Sequence, residues 1–334
     1  MNWPLIISNT LYTAIGFQAV GYILAAIGIN MHFGFTGLLN FGQAAFAAVG
    51  AYAVAVSVRS WHFSWWGVML VFLFVPLVLA LLLGIPTLRL RADYLAIVTI
   101  AAAEILRLVL NGANPKLTRT LGGNDGLNGF TAWVGPLNPW RNTTFHIWRQ
   151  PVQGNTMFVI MIGWLLVAFV SWAMYLLMRS PWGRVLKSIR EDENAARSLG
   201  KNVFVYKLQS LVVGGYIGSL GGLVYAVAGQ YAGPNDYSTR FTFTCWTILI
   251  LGGVGKIKGP IIGGIIFWFI IGFTESFLAQ ATRKGQAILP TWLVNENNFG
   301  LLRFMLVGLG LALLVIFRPQ GIFGDKREQS FDVR

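Results

Sequence analysis

Charge is what this sequence has least of. Only 11% of its 334 residues are Asp, Glu, Lys or Arg, while 55% are hydrophobic and mean hydropathy is +0.63. Soluble globular chains carry about 25% charged residues, so the composition excludes a water-soluble domain and predicts an integral membrane protein. Cysteine is nearly absent. Cys245 alone, in an apolar run, excludes a disulfide framework and a thiolate metal site. His32, His62 and His146 are scattered, with no carboxylate or Cys at metal-ligand spacing and no visible nucleophile–base pair, which argues against an enzyme. An intact nucleotide motif is missing too. GGVGK at Gly252–Lys256 resembles part of a phosphate-binding loop, but the positions needing Gly and Ser or Thr hold Ile250 and Ile257. Any ATP and Mg therefore belong to another chain. Met1–Pro4 has no basic residue and no small-residue cleavage site follows, so the first hydrophobic segment is expected to be retained.

What is present is a series of apolar segments of about 20 residues, the length that crosses a bilayer. Candidates fall at Ile7–Asn30, Leu38–Val58, Ser64–Ile85, Ala92–Leu110, Met157–Met178, Leu208–Gln230, Phe241–Gly253, Pro260–Leu278 and Leu301–Phe317. They are rich in Ala, Gly and Leu rather than alternating, which predicts an all-α polytopic bundle of about 8–10 helices. The segment Phe241–Gly253 is short, and short or Gly-interrupted pieces suit broken or re-entrant segments buried in protein. The whole chain, 1–334, reads as one transmembrane domain.

Cations outnumber acids 25 to 12, and most sit between spans, where they orient the chain against the lipid surface rather than bind nucleic acid. Arg89 and Arg91, the stretch Arg179–Lys207, Lys256 with Lys258, and the tail 318–334 can all lie on the cytoplasmic side. That assigns 111–156, 231–240 and 281–300 to the outer side; nine spans would leave the N-terminus outside, and a split segment would place it inside. The loop 111–156 is long enough to be a cap or a partner surface. Trp61, Trp65, Trp66 and Trp148 fit an interfacial aromatic belt.

Within the spans, Gly214, Gly218 and Gly222, and Ala47, Ala51 and Ala55, make small-residue stripes for close helix packing. Glu104 and Arg107 stand three apart and read as an internal salt bridge, which weakens an ion-coupled transporter built on Glu104. TGLLNFGQAAFAAVGAY joins a Gly break to the polar amides Asn40 and Gln43, a pattern suited to a neutral hydrogen-bonding pathway. RSPWGRVLKSIREDENAARSLGKNVFVYK, Arg179–Lys207, is charge-dense yet has Val185, Leu186, Ile189, Ala196 and Leu199 at helical steps, predicting an amphipathic helix outside the bilayer.

Together TGLLNFGQAAFAAVGAY, RADYLAIVTIAAAEILRL followed by GGNDGL, the 179–202 stretch, LILGGVGKIKGPIIGG and the terminal FRPQGIFG resemble the LivM-type permeases of branched-chain amino acid ABC importers, from about Gly28 to Gly324. The resemblance implies a LivH-like second permease, two LivG/LivF-like ATPase subunits that bind ATP and Mg, an extracytoplasmic binding protein, and a seat in the bacterial inner membrane. It also implies that 179–207 holds a coupling helix. There Glu193, Ala195, Ala196 and Gly200 match a pattern in which small residues settle into an ATPase groove, while Arg190, Glu191 and Asp192 fix register. Candidate pathway residues in the matching blocks are Gly37, Asn40, Gln43, Tyr94, Thr99 and Glu104. Leucine, isoleucine and valine are the implied substrates, with other neutral amino acids or urea as alternatives.

Overall fold

A computed structural model of the chain describes residues 2–90, 92–112, 118, 120–131, 134, 138–141, 143–147, 150–281, 300, 305, 308–309 and 321–324. The helices are α1 (Trp3–Ile15), α2 (Phe17–Ile29) prolonged by a π turn (Asn30–Gly34), α3 (Gln43–Arg59), α4 (Trp65–Thr87), α5 (Ala92–Leu110), α6 (Gly154–Arg179), α7 (Pro181–Glu191), α8 (Glu193–Ser198), α9 (Val203–Gly229), α10 (Thr239–Gly252) and α11 (Gly259–Ala281). Among the described residues, five stretches are long and apolar enough to cross a membrane: Trp3–Gly34, α4, α6, α9 and α11. The shorter α3 and α10 and the more charged α5 complete the bundle. The expected span Leu301–Phe317 lies almost wholly outside the described residues.

Three segments differ from expectation, the first because the span expected over Ile7–Asn30 is two helices divided at the extended Gly16 (φ −69°, ψ −178°). The span placed at Leu38–Val58 becomes helical only at Gln43, because Gly37 takes φ +74° and ends the preceding helix. The single helix expected across Arg179–Lys207 is two short ones, split at Asp192. That residue is extended (φ −152°, ψ 107°) and its carboxylate accepts from the backbone N–H of Asn194 at 2.8 Å and Ala195 at 3.0 Å. An acid that caps a new helix in this way ends the old one.

The core is built around α9, which packs mainly on α2 and α3. The small-residue stripes explain how close these helices come. A Cβ on Gly222 would lie 2.0 Å from the carbonyl oxygen of Ala47, and one on Gly28 would lie 2.4 Å from that of Gly214. Lipid gives little hydrophobic drive for helix association, so backbone approach of this kind is a main source of cohesion.

The two ends of the bundle are chemically distinct. At one, Arg89 lies over the Phe204 ring, 5.8 Å from its centroid, near the start of α9, and α7, α8 and the Lys256–Lys258 turn gather beside it. At the other, β1 (Leu127–Asn128) pairs antiparallel with β4 (Tyr231–Ala232), and β2 (Thr144–Ile147) pairs with β3 (Gln150–Gln153) just before α6. Arg59 donates to the Asn128 carbonyl at 2.7 Å, and the Gln150 amide bonds the Asn9 side chain, so the chain begins at this far end.

Candidate functional site

The first α-helical rod breaks where its sequence reads NMHFGFTGLLNFG. The π turn over Asn30–Gly34 gives way to non-helical chain over 37–42, and each exposed backbone group there needs a partner within the protein. Neighbouring helices supply several. Thr99 Oγ1 accepts from Phe41 N at 3.0 Å, Thr242 Oγ1 accepts from Ala44 N at 2.9 Å, and Trp246 Nε1 donates to the Asn40 carbonyl at 3.2 Å. Asn40 Oδ1 accepts from Gly42 N at 2.8 Å. The break is thus a designed seam in which α5 and α10 hold open chain.

His32 lies fully buried at this seam. Its Nε2 is 3.2 Å from the Leu211 carbonyl, which can only accept, so Nε2 carries the proton. Nδ1 then accepts from Asn40 Nδ2 at 3.0 Å, and the ring is the neutral tautomer. Gln43 Nε2 donates to the carbonyls of Ala25 at 3.1 Å and Gly214 at 3.4 Å, while its Oε1 is buried without a partner. Thr36 and Ser210 hydroxyls meet at 2.7 Å. Of the candidate pathway residues, Asn40, Gln43 and Thr99 are brought together here. Tyr94 is not: it is 61% exposed on the outer face of α5.

Gly37 belongs to the basic end. The Arg190 guanidinium donates to the Gly34 carbonyl at 2.5 Å, and a Cβ on Gly37 would lie 3.5 Å from Arg190 Cγ. Asn30 binds the next turn from both sides: Nδ2 donates to the Lys256 carbonyl at 3.0 Å and Oδ1 accepts from Gly255 N at 2.9 Å. GGVGK is therefore a helix-joining turn whose Gly255 N–H is already occupied. Ile322 N and Phe323 N, from the terminal FRPQGIFG, donate to the Leu251 and Gly252 carbonyls of the same turn at 3.0 and 3.2 Å. Four of the five sequence blocks thus converge on one end.

Around α8, Glu193 salt-bridges Lys207 at 2.5 Å and Arg197 at 3.0 Å, tying the short helix to α9. Ala196 is buried against Ile189 and Val203, whereas its neighbour Ala195 faces outward with Glu191 and Gly200. Gly200 takes φ +75° with nothing within 4 Å of a built Cβ. Leu199, 78% exposed, is an apolar knob beside it.

At the far end, Asn235, Asp236, Ser238 and Arg240 meet the aromatic side chains of Tyr22 and Trp268 around a cavity of about 230 Å³. Burial pushes the Asp236 carboxyl above its ordinary range, partly offset by a hydrogen bond from the Gly233 backbone. Glu104 is joined to this region indirectly. Its carboxylate accepts from Arg107 Nε at 3.0 Å, and Arg107 NH1 donates to Asn235 Oδ1 at 3.0 Å. Below the cavity, Phe243 is exposed, and Phe41 stacks on Trp246 with centroids 4.7 Å apart. His32, Trp246, Thr242 and Asp236 are the site residues that sequence reasoning passed over. Only His32 carried a signal, its position at the helix break.

Broken helices with internally satisfied polar chain, set in a multi-pass apolar bundle, define a membrane permease. Comparison with known proteins agrees: residues 11–309 match the family described as branched-chain amino acid transport system / permease component, and the chain belongs to that family. It is 27% identical over 98% of its length, and 73% of the relative's, to the high-affinity branched-chain amino acid transport system permease protein LivM of Escherichia coli. Identity is 23% over 91% of both chains to the probable branched-chain amino acid transport permease protein LivM of Methanocaldococcus jannaschii. A segment covering 19% of the chain is 36% identical to the nucleoside ABC transporter permease protein NupC of Lactococcus lactis.

Proposed function

We propose that this chain is one of two permease subunits of an ATP-driven importer of branched-chain and other neutral amino acids. It sits in the bacterial inner membrane with its basic end toward the cytoplasm, where clustered cations favour that placement. A LivH-like second permease completes the pathway, two ATPase subunits bind ATP and Mg, and an extracytoplasmic binding protein delivers substrate to the far end. The observation that carries this reading is the Arg190–Gly34 hydrogen bond, which ties an amphipathic helix outside the bundle to the break inside it. Force applied to α7 and α8 would be felt at the seam. The bidentate Glu104–Arg107 pair supports an external energy source, because a carboxylate already neutralised by its own helix is poorly suited to carry a coupling ion.

Reconstitution in liposomes with the second permease, both ATPases and the binding protein is expected to give leucine uptake that requires ATP. Leucine uptake by the single chain under an ion gradient, with no ATPase present, would overturn the proposal.

A further inference from the structure

The cavity at the far end has a composition that an ordinary packing defect lacks. It joins a carboxylate, a guanidinium, a hydroxyl and an amide to the aromatic faces of Tyr22, Tyr225, Phe241 and Trp268, with Phe267 and Ile271 supplying apolar wall. Its volume is about 230 Å³, well above the ~10–15 Å³ that holds a single water. That is room for one small solute. Asp236 is partly withdrawn from solvent, on the 3₁₀ turn Pro234–Tyr237; Ser238 and Arg240 stand at the start of α10. We infer that this cavity is a receiving site for a single zwitterionic α-amino acid, with Asp236 meeting the ammonium and Arg240 and Ser238 meeting the carboxylate.

Each part has a physical reason. An ammonium gains both from a carboxylate and from nearby aromatic faces. A carboxylate gains from a guanidinium and from the positive end of the dipole of a 14-residue helix. The apolar wall then takes a hydrocarbon side chain. Arg107, neutralised by Glu104, holds the rim through Asn235, which makes Glu104 a positioning residue rather than a contact. The inference rests on the proposed permease function and adds a substrate-binding step made by this chain itself.

The test uses the assembled permease–ATPase complex in nanodiscs, without binding protein, and radiolabelled leucine. Saturable binding is expected, competed by alanine or valine but not by 4-methylpentanoate or isoamylamine, each of which lacks one charge. Asp236→Asn and Arg240→Gln are each expected to weaken binding about tenfold or more, the loss of one charge-assisted contact, without lowering the melting temperature of the complex. Phosphoethanolamine has the same paired charges in a lipid headgroup, so its competition in preference to leucine would assign the cavity to lipid and overturn the inference. So would leucine binding that both substitutions leave unchanged, or no leucine binding by a complex that transports leucine when its binding protein is added. A complex that fails to transport leucine at all would instead sink the permease proposal beneath it.

Discussion

Arg190 donates to the carbonyl of Gly34 at 2.5 Å, across the gap between a surface helix and the break in the first span. The carbonyl is among those released from helical bonding where the π turn ends, so the guanidinium supplies a partner the chain needs. Arg190→Ala is expected to leave the bundle folded and ATP hydrolysis intact while lowering amino acid uptake per ATP. A partly exposed charged hydrogen bond contributes about 1 kcal/mol, so the expected loss is about fivefold. Paired measurements of uptake and phosphate release in liposomes check it. An unchanged ratio would remove Arg190 from the transmission path.

Asn40 holds the neutral His32 ring and the Gly42 amide at once. Asn40→Leu leaves both buried groups unpartnered, which costs about 1–3 kcal/mol for each. The expected result is a clear fall in melting temperature of the purified complex. Asn40→Asp keeps an acceptor for Gly42 but replaces the donor facing Nδ1 with an acid. Stability should therefore become pH-dependent, a signature that a simple packing change would not produce.

Gly222 and Gly200 predict losses of different origin and size for the same substitution. Gly222→Ala drives a Cβ to 2.0 Å from the Ala47 carbonyl, in rigid backbone, so α3 and α9 must separate. Overpacking of this kind costs about 1–3 kcal/mol or more and should lower the yield of folded protein. Gly200→Ala meets nothing within 4 Å and bears only the cost of φ +75°, about 1 kcal/mol. Detergent melting curves of the two variants compare them directly.

Leu199 is expected to report on docking. Leu199→Asp alters an outward side chain without touching the Ile189–Ala196–Val203 contact. It should spare the permease fold and reduce co-purification of the ATPase subunits. Ala196→Arg should instead unfold α8, because that side chain points inward. Equal ATPase recovery with Leu199→Asp and with the unaltered chain would place the docking surface elsewhere.

Asp236 gives the pH dependence. Burial raises its carboxyl above the ordinary 3.8, so the folded state holds this proton more tightly than the unfolded chain. Its contribution to stability is full below 3.8 and is lost as pH rises through the raised folded value. Binding of an ammonium has the opposite sign, since it needs the carboxylate, so leucine affinity should fall as pH drops through that same window. The groups facing it are Arg240 on α10, Tyr22 on α2, Tyr225 on α9, Tyr52 on α3, and Tyr231 and Tyr237 beside it. Asp236→Asn should flatten the binding profile between acid and neutral pH.

The sequence by itself determined the class of this protein. Apolar length, scarce charge and short basic connections leave only a helical bundle in a membrane, because every backbone polar group in lipid must be paired locally. The Gly222 stripe and the break at Gly37 were legible for the same reason: small residues at helical spacing and a run of glycines have few other uses. Tertiary structure alone decided which faces meet. Tyr94 and Thr99 lie five residues apart on α5, about 140° around it, so one points outward and the other supports the seam. Ala195 and Ala196 divide in the same way. Asp192 splits an apparently continuous amphipathic helix because its carboxylate caps the next one, a choice that hydrophobic period does not register. The charged cavity draws its walls from α2, near the start of the chain, and from the consecutive α9, α10 and α11, and only their packing puts Tyr22, Asp236 and Trp268 around one space.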